Sequence, residues 1–278
     1  MPGTSPNVLT VDVEEWFHIC GVGGPLAPDR WAALPSRVVR TTDRLLDLLD
    51  SVGVRATFFV LGYVAERHPQ LVERIWKAGH EIGSHGHMHE RVYSLTAESF
   101  EADLDRSLAS IAACGAPPVA GFRAPEWSIN DRSLWALDVL ARKGLQFDSS
   151  MAPMRIVGNP AYPRAPHHRE TAAGAIVECP PAVARRFGQT MPFGGGWGLR
   201  MSRPRTVLRA LDARARAGQV SVFWVHPWEI DDDPPVVRLP AAKHFAHYFR
   251  LNRFAARFET ILRGATFGPL GPVARQCR

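Results

Sequence analysis

Five short apolar runs in this chain each stop at an ionisable side chain or within two residues of one. Val8-Leu9-Thr10-Val11 ends at Asp12, residues 80–83 lead to His85, 119–122 to Arg123, 145–147 to Asp148, and 220–225 to His226. Between the runs, apolar residues recur at helical spacing over 38–49, 71–78, 96–114, 130–143 and 204–217, and Gly53, Gly79 and Gly144 stand where three of these helices must stop. A further strand is predicted at 54–60 and another at 175–178, with an irregular loop over 151–168. Strands alternating with helices imply βα units and a mainly parallel sheet. Seven or eight such units in 278 residues predict an α/β protein, a distorted (β/α) barrel taken here as seven-stranded. In such a barrel all strand ends share one face, where catalytic groups gather. Five groups there, of the types that hold metals and move protons, predict a site.

Composition narrows the class. The chain is 46% hydrophobic and 22% charged, which excludes a disordered chain, a collagen-like repeat and a disulfide miniprotein. The net charge of +6 is not organised into an arginine-rich helix or an aromatic–basic stripe, so no nucleic-acid partner is expected. The four cysteines form no CxxC pair, which speaks against a cysteine zinc site and for a reduced, cytoplasmic setting. No signal peptide is read at residues 1–7 and no run approaches the roughly 20 apolar residues of a membrane span. The expected organisation is a barrel over 1–230, a linker at Asp231-Asp232-Asp233-Pro234-Pro235, and a basic, aromatic extension to 278, helical over 243–262, packed on the barrel. Contact of that extension with a membrane surface and formation of an oligomer are left open.

His85 and His89 are four apart, a spacing that points two imidazoles the same way on a helical turn. With a carboxylate they leave coordination open for water, as hydrolysis requires; His87 is expected to point away. Asp12 and Glu14, with one residue between them on a strand end, face the same side and can supply a metal ligand and a general base. His226, at a strand end among tryptophans, is a candidate general acid.

The chain resembles the NodB-type polysaccharide deacetylases, metal-dependent carbohydrate esterases, from about Asn7 to Glu229. Thr10-Val11-Asp12-Val13-Glu14 resembles the family's Thr-Phe-Asp-Asp motif, Ser84-His85-Gly86-His87-Met88-His89 its His-(Ser/Thr)-x-x-His, Arg123-Ala124-Pro125 its Arg-x-Pro, Asp148-Ser149-Ser150 its Asp-x-x-(Ser/aromatic), and Val225-His226 its Leu-x-His. The His-Pro-Trp-Glu stretch and the extension are most similar to the branch associated with bacterial exopolysaccharide gene clusters. Three positions depart: the family's metal aspartate falls on Val13, the residue after the first histidine is Gly86, and Glu126 replaces the aromatic after Arg-x-Pro. A related peptidoglycan-deacetylase-like branch places its ligand one residue later, which would make Glu14 the metal carboxylate; whether Glu14 or Asp12 holds the metal stays open at this point.

The resemblance implies removal of N-acetyl groups from hexosamine residues of an acetylated glycan. Glu14, His85 and His89 would hold Zn²⁺, with Co²⁺ or Ni²⁺ as the other ions. Asp12 would act as base oriented by Arg123, His226 as acid oriented by Asp148, and a backbone N–H near Glu126 would meet the oxyanion. Glu126, Trp127, Trp197 and Trp228 are the candidate substrate contacts, with Trp16 also near these motifs; tryptophan faces suit sugar rings, and the core is the other place for them. Gly194-Gly195-Gly196-Trp197 is either a loop over the cleft or a simple turn, and His167 and His168 are read as surface residues. The alternatives are an allantoinase-like hydrolase of small amides or imides on the same fold, and a non-catalytic glycan-binding module.

Overall fold

The structure, a computed structural model, describes residues 7–186 and 188–277; the reading of residues 1–6 lies outside the described residues. Ten strands occur among them: β1 (Asn7–Val13), β2 (Thr57–Val60), β3 (Glu81–Ser84), β4 (Gly121–Phe122), β5 (Phe147–Asp148), β6 (His167–Thr171), β7 (Gly174–Glu178), β8 (Val183–Arg186), β9 (Gln189–Pro192) and β10 (Ser221–Val225). Eight form one sheet in the order β10-β1-β2-β3-β4-β5-β7-β6. Seven of these run parallel and β6 pairs antiparallel with β7. The distorted seven-stranded parallel barrel is therefore the observed architecture, with an added antiparallel edge. That edge starts at His167, inside the stretch expected to be loop; His168 is exposed, as expected, and meets the Cys277 carbonyl at 2.5 Å.

Alternation along β1 builds two cores from one strand. Leu9, Val11 and Val13 pack outward against the helix Val38–Ser51 and its neighbours. Val8 faces inward, beside Phe59, Phe147, Val177 and Val222. Val13, the position of the family's metal aspartate, thus belongs to the helix layer and is turned away from the inner face that carries Asp12. The helix Ala97–Ala113 starts where Thr96 and Ser99 cap one another, at 2.9 and 3.2 Å, the arrangement that satisfies free N–H groups at a helix start. Helix Leu270–Gln276 seats Leu270, Val273 and Ala274 in the inner core, and Gly268 pairs with the start of β1 at Val8. The end of the chain so closes the barrel floor, opposite the strand ends that bear the ionisable groups.

Close packing in the sheet rests on glycine at two points. A Cβ on Gly121 would lie 2.0 Å from the Phe147 ring, and one on Gly195 would lie 2.1 Å from the Trp224 carbonyl oxygen. Gly121→Ala is expected to destabilise the fold by about 1–3 kcal/mol, the usual cost of overpacking a core. Thermal unfolding followed by circular dichroism would register it; an unchanged Tm would show that Phe147 moves aside freely.

Three expectations need correction. The segment at 231–235 is not a loose linker: Asp231 is buried and paired with Arg40 and, at 3.9 Å, Arg37, while Asp232 and Asp233 pair with Arg44 and Arg37. The helix expected over 243–262 is broken into Ala241–Tyr248 and Phe254–Gly264, with Arg250 between them at φ +53°. Gly194–Gly196 is neither a loop over the cleft nor a simple turn, because Gly195 bridges in parallel to Trp224 and a helix runs Gly196–Met201.

Candidate active site

Register alone sets most of the site. Val11 pairs with Val225, Val60 with Ser84, Ser84 with Phe122, and Phe122 with Asp148. The residues that follow, Asp12, His226, His85, Arg123 and Ser149, therefore emerge side by side at one rim. Asp12, Glu14, His85, His89, Arg123 and His226 all line one cavity of about 230 Å³.

Arg123 organises the inner wall. It is 1% exposed and donates from Nη1 to Asp12 Oδ1 at 2.9 Å and Thr10 Oγ1 at 2.6 Å, and from Nη2 to Ser149 Oγ at 2.8 Å. Its guanidinium lies 4.5 Å from the Phe59 ring centroid. A buried charge persists when paired and hydrogen-bonded, and Asp12 provides the opposite charge here.

Glu14, His85 and His89 form the one group of three ligand-type side chains found among the described residues, their donor atoms all within 4.8 Å of one another. His85 Nδ1 lies 2.7 Å from the Arg123 carbonyl oxygen. A carbonyl only accepts, so Nδ1 carries the proton and Nε2 presents a lone pair, the arrangement that orients metal-binding histidines. Burial pulls His85 down to about 4, keeping it neutral. Burial opposes charge on Glu14, yet His89, His226 and His85 around it hold its carboxylate below the usual range. Glu14 Oε2 is buried, 2.5 Å from His89 Nε2 and 3.9 Å from His85 Nε2. Two ring nitrogens and a carboxylate oxygen gathered this closely, and all buried, fit a divalent cation with N/O ligands. His87 points elsewhere, with Nε2 3.7 Å from Glu66.

His226 follows β10, with Nε2 3.6 Å from Glu14 Oε1 and 3.9 Å from Asp12 Oδ2. Burial alone would discharge it, but Glu14, Glu229 and Asp12 outweigh that and hold it up to about 9. Its Nδ1 meets Glu229 Oε2 at 3.1 Å. Asp148, expected in that place, bonds Ser150 at 2.5 Å and pairs with Glu178 on the adjacent strand. Asp148 Oδ2 and Glu178 Oε2 are both buried with no conventional donor; a proton shared between the two carboxyls satisfies both. Burial pushes Asp148 up to about 6, and burial together with the neighbouring Asp148 raises Glu178 well above the usual range.

This pair has a pH signature. In the unfolded chain both carboxyls lose their protons near pH 4, while the folded pair keeps a proton to about pH 6 and beyond. The folded state binds more protons in that window, so the pair's contribution to stability falls as pH rises through it. Urea unfolding of Glu178→Gln beside the unaltered protein from pH 4.5 to 8 should show the variant gaining relative stability with rising pH. Parallel curves would exclude the shared proton.

The rest of the cavity wall is aromatic. Trp16, Trp127, Trp197 and Trp228 all line it, as does Glu126. Trp228 donates from Nε1 to Glu14 Oε1 at 3.2 Å and stacks on His226 at 5.0 Å. Trp16 donates to the Pro35 carbonyl at 3.0 Å, and Trp127 Nε1 is buried without a partner. His89, Glu126 and Trp127 have φ of +51° to +54°, a strained left-handed backbone that residues other than glycine adopt where surrounding structure holds them. Glu15, grouped with the other acids in sequence, takes no part: it accepts from Ser36 and from the Arg37 N–H at 2.9 Å, at the start of the helix Val38–Ser51. Residues that sequence reasoning missed include His18, Arg200, Glu229, Lys243 and His247. His18 accepts the Glu15 N–H at Nδ1, 3.1 Å, and leaves Nε2 buried and unpartnered. Glu229 had a legible signal, since it stands three residues beyond His226; Arg200 and the helix Ala241–Tyr248 reach the site only through tertiary packing.

Histidines, carboxylates and a buried arginine gathered at the strand ends of an incompletely closed α/β barrel are the layout of a hydrolase site. Residues 31–147 match the family described as polysaccharide deacetylase, the family whose motifs the strand ends resemble. Residues 149–275 match a family described as a domain of unknown function, DUF3473. The chain is 31% identical over 108 residues to a peptidoglycan deacetylase of Helicobacter pylori, covering 39% of this chain and 36% of that protein. It is 34% identical over 102 residues to a chitooligosaccharide deacetylase of Rhizobium leguminosarum bv. trifolii, 36% of this chain and 44% of that one. The match thus spans well under two thirds of these curated relatives. Among solved structures, a protein from Mycobacterium smegmatis assigned to the polysaccharide deacetylases superposes with a TM-score of 0.64 at 22% identity, covering 100% of this chain and 92% of that one. A pseudoenzyme of carbohydrate esterase family 4 from Bacillus anthracis superposes at 0.51 and 13% identity, covering 99% and 66%. The fold is therefore shared by proteins with and without activity, and function has to be argued from the site.

Proposed function

We propose that this chain is a metal-dependent deacetylase that removes N-acetyl groups from hexosamine residues of a bacterial polysaccharide or its precursor. The observation that carries the reading is the convergence of Glu14, His85 and His89 on one point, with Asp12 and His226 on the same cavity. These three would hold a divalent ion, Zn²⁺ first, which when bound polarises an amide carbonyl and lowers the pKa of a water.

The remaining chemistry belongs to the chain. Asp12 Oδ1 is held by Arg123, which leaves Oδ2 to take the proton of the attacking water. His226 Nε2, 3.9 Å from that oxygen, stands where it can pass a proton to the departing nitrogen, a step an amine leaving group needs. The N–H of Trp127 is bound to the Ala124 carbonyl at 3.1 Å, so the reading assigns the developing oxyanion to the N–H of Glu126. Trp127, Trp197 and Trp228 offer faces for the apolar side of a sugar ring. The cavity, about 230 Å³, is below the roughly 300–1,000 Å³ of drug-sized sites and suits one ring at the reacting position.

That small volume also favours the second reading, hydrolysis of a small amide or imide. Acetate release from N-acetylglucosamine oligomers, measured beside ring opening of cyclic ureides, separates the two. Release from the oligomers alone supports the deacetylase; turnover of the ureides alone replaces it.

A further inference from the structure

The resemblance assigns orientation of the acid histidine to Asp148; the geometry points elsewhere. We propose that Glu229, backed by Arg200, is the positioning residue that fixes the tautomer and ring orientation of His226. This rests on the reading of His226 as the proton donor.

His226 caps the short 3₁₀ turn Pro227–Ile230, and Glu229 folds back from the third position of that turn. One oxygen, Oε2, accepts the backbone N–H of His226 at 3.1 Å and lies 3.1 Å from its Nδ1. A carboxylate only accepts, so Nδ1 carries a proton, and Nε2 is the nitrogen left facing Asp12 and Glu14. The ring plane is held from the side by Trp228, itself stacked on His247 at 4.1 Å and 20°.

Glu229 is fully buried, and a carboxylate there needs a counter-charge. Arg200, 1% exposed, supplies it: Nε lies 3.4 Å from Glu229 Oε1, and neither atom has a hydrogen bond of its own. The other end of the guanidinium donates to the carbonyls of Ala246 at 2.5 Å, His247 at 2.8 Å and Phe249 at 3.2 Å. These carbonyls end the helix Ala241–Tyr248, which also puts Lys243, Ala246 and His247 on the cavity wall. The segment matched by the uncharacterised family thus holds the pair that holds the acid. Asp148 is excluded from the task by its own partner, since a carboxyl sharing a proton with Glu178 offers no full charge.

The test uses the metal-loaded full chain with ¹⁵N-labelled histidine, as itself, as Glu229→Gln and as Asp148→Asn. Two readouts are taken: the imidazole N–H resonances of His226, and the ratio of amide hydrolysis (acetate from N-acetylglucosamine oligomers) to hydrolysis of 4-nitrophenyl acetate, whose phenolate leaves without a proton. A hydrogen bond to a carboxylate is roughly twice as strong as one to a neutral amide. Glu229→Gln should therefore shift the Nδ1–H resonance and lower the amide-to-ester ratio by roughly 10–100-fold, the usual cost of losing a partner that orients a functional histidine. Asp148→Asn should do neither. Movement of both readouts in Asp148→Asn but not in Glu229→Gln overturns the proposal. Should Glu229→Gln not fold, the unaltered protein still decides: absence of a proton on His226 Nδ1 overturns it, and its presence with a carboxylate-bonded shift supports it. Failure of the deacetylase reading shows separately, as no acetate release by the unaltered protein, and the resonances then decide alone.

Discussion

Asp12→Asn should slow acetate release by roughly 10²–10⁴-fold, the range of a lost general base, with little change in metal affinity and a lowered Tm, because buried Arg123 loses its counter-charge. Arg123 donates to Asp12 Oδ1, so an asparagine at this position turns its carbonyl oxygen toward the guanidinium and places its NH₂ where Oδ2 stood. The oxygen that takes the water's proton is thereby replaced by a donor. Arg123 meanwhile keeps Thr10 and Ser149, so the inner wall survives. Steady-state kinetics with a thermal melt on the same sample check both halves. A loss of less than tenfold would remove Asp12 from the base role.

Glu14→Ala should weaken binding of Zn²⁺ or Co²⁺ by on the order of a hundredfold or more, since even partners one step removed from a metal cost 10–100-fold. Two histidines would remain, with neither the negative charge nor the third donor. The side chain also accepts the Trp228 N–H, so a modest loss of stability should accompany the loss of affinity. Competition against a chelator of known affinity measures the first effect and a melt of the metal-free protein the second. Affinity unchanged in Glu14→Ala but lost in Asp12→Asn would make Asp12 the metal carboxylate.

The strand-end groups were legible in sequence because parallel register is simple: each strand contributes the residue that follows its apolar run, and pairings such as Val11 with Val225 leave little freedom about where that residue emerges. Period-two alternation likewise put Asp12 and Glu14 on one side and, in the fold, Val13 on the other. Partners of those groups were harder to read. Asp148 is drawn to Glu178 by strand pairing, and no local pattern in either segment announces that two carboxyls will be neighbours. Glu229 was visible in spacing but looked like one more acid after a histidine until Nδ1 and Oε2 were seen 3.1 Å apart. Asp231-Asp232-Asp233 reads as linker because three acids and two prolines are polar and irregular; Arg37, which caps the helix Val38–Ser51, and Arg40 and Arg44 within it turn the run into an anchor. The cavity roof was beyond sequence reasoning altogether, since Arg200 fixes the helix Ala241–Tyr248 through carbonyl oxygens that every sequence offers.

Acetate release from N-acetylglucosamine oligomers by protein stripped of metal, then supplied with Zn²⁺ or Co²⁺, beside Glu14→Ala, tests the central claim most directly. The account predicts release that appears with the metal and is absent in the Glu14→Ala variant. Release at the same rate from stripped and loaded protein, or from Glu14→Ala and the unaltered chain alike, would contradict it.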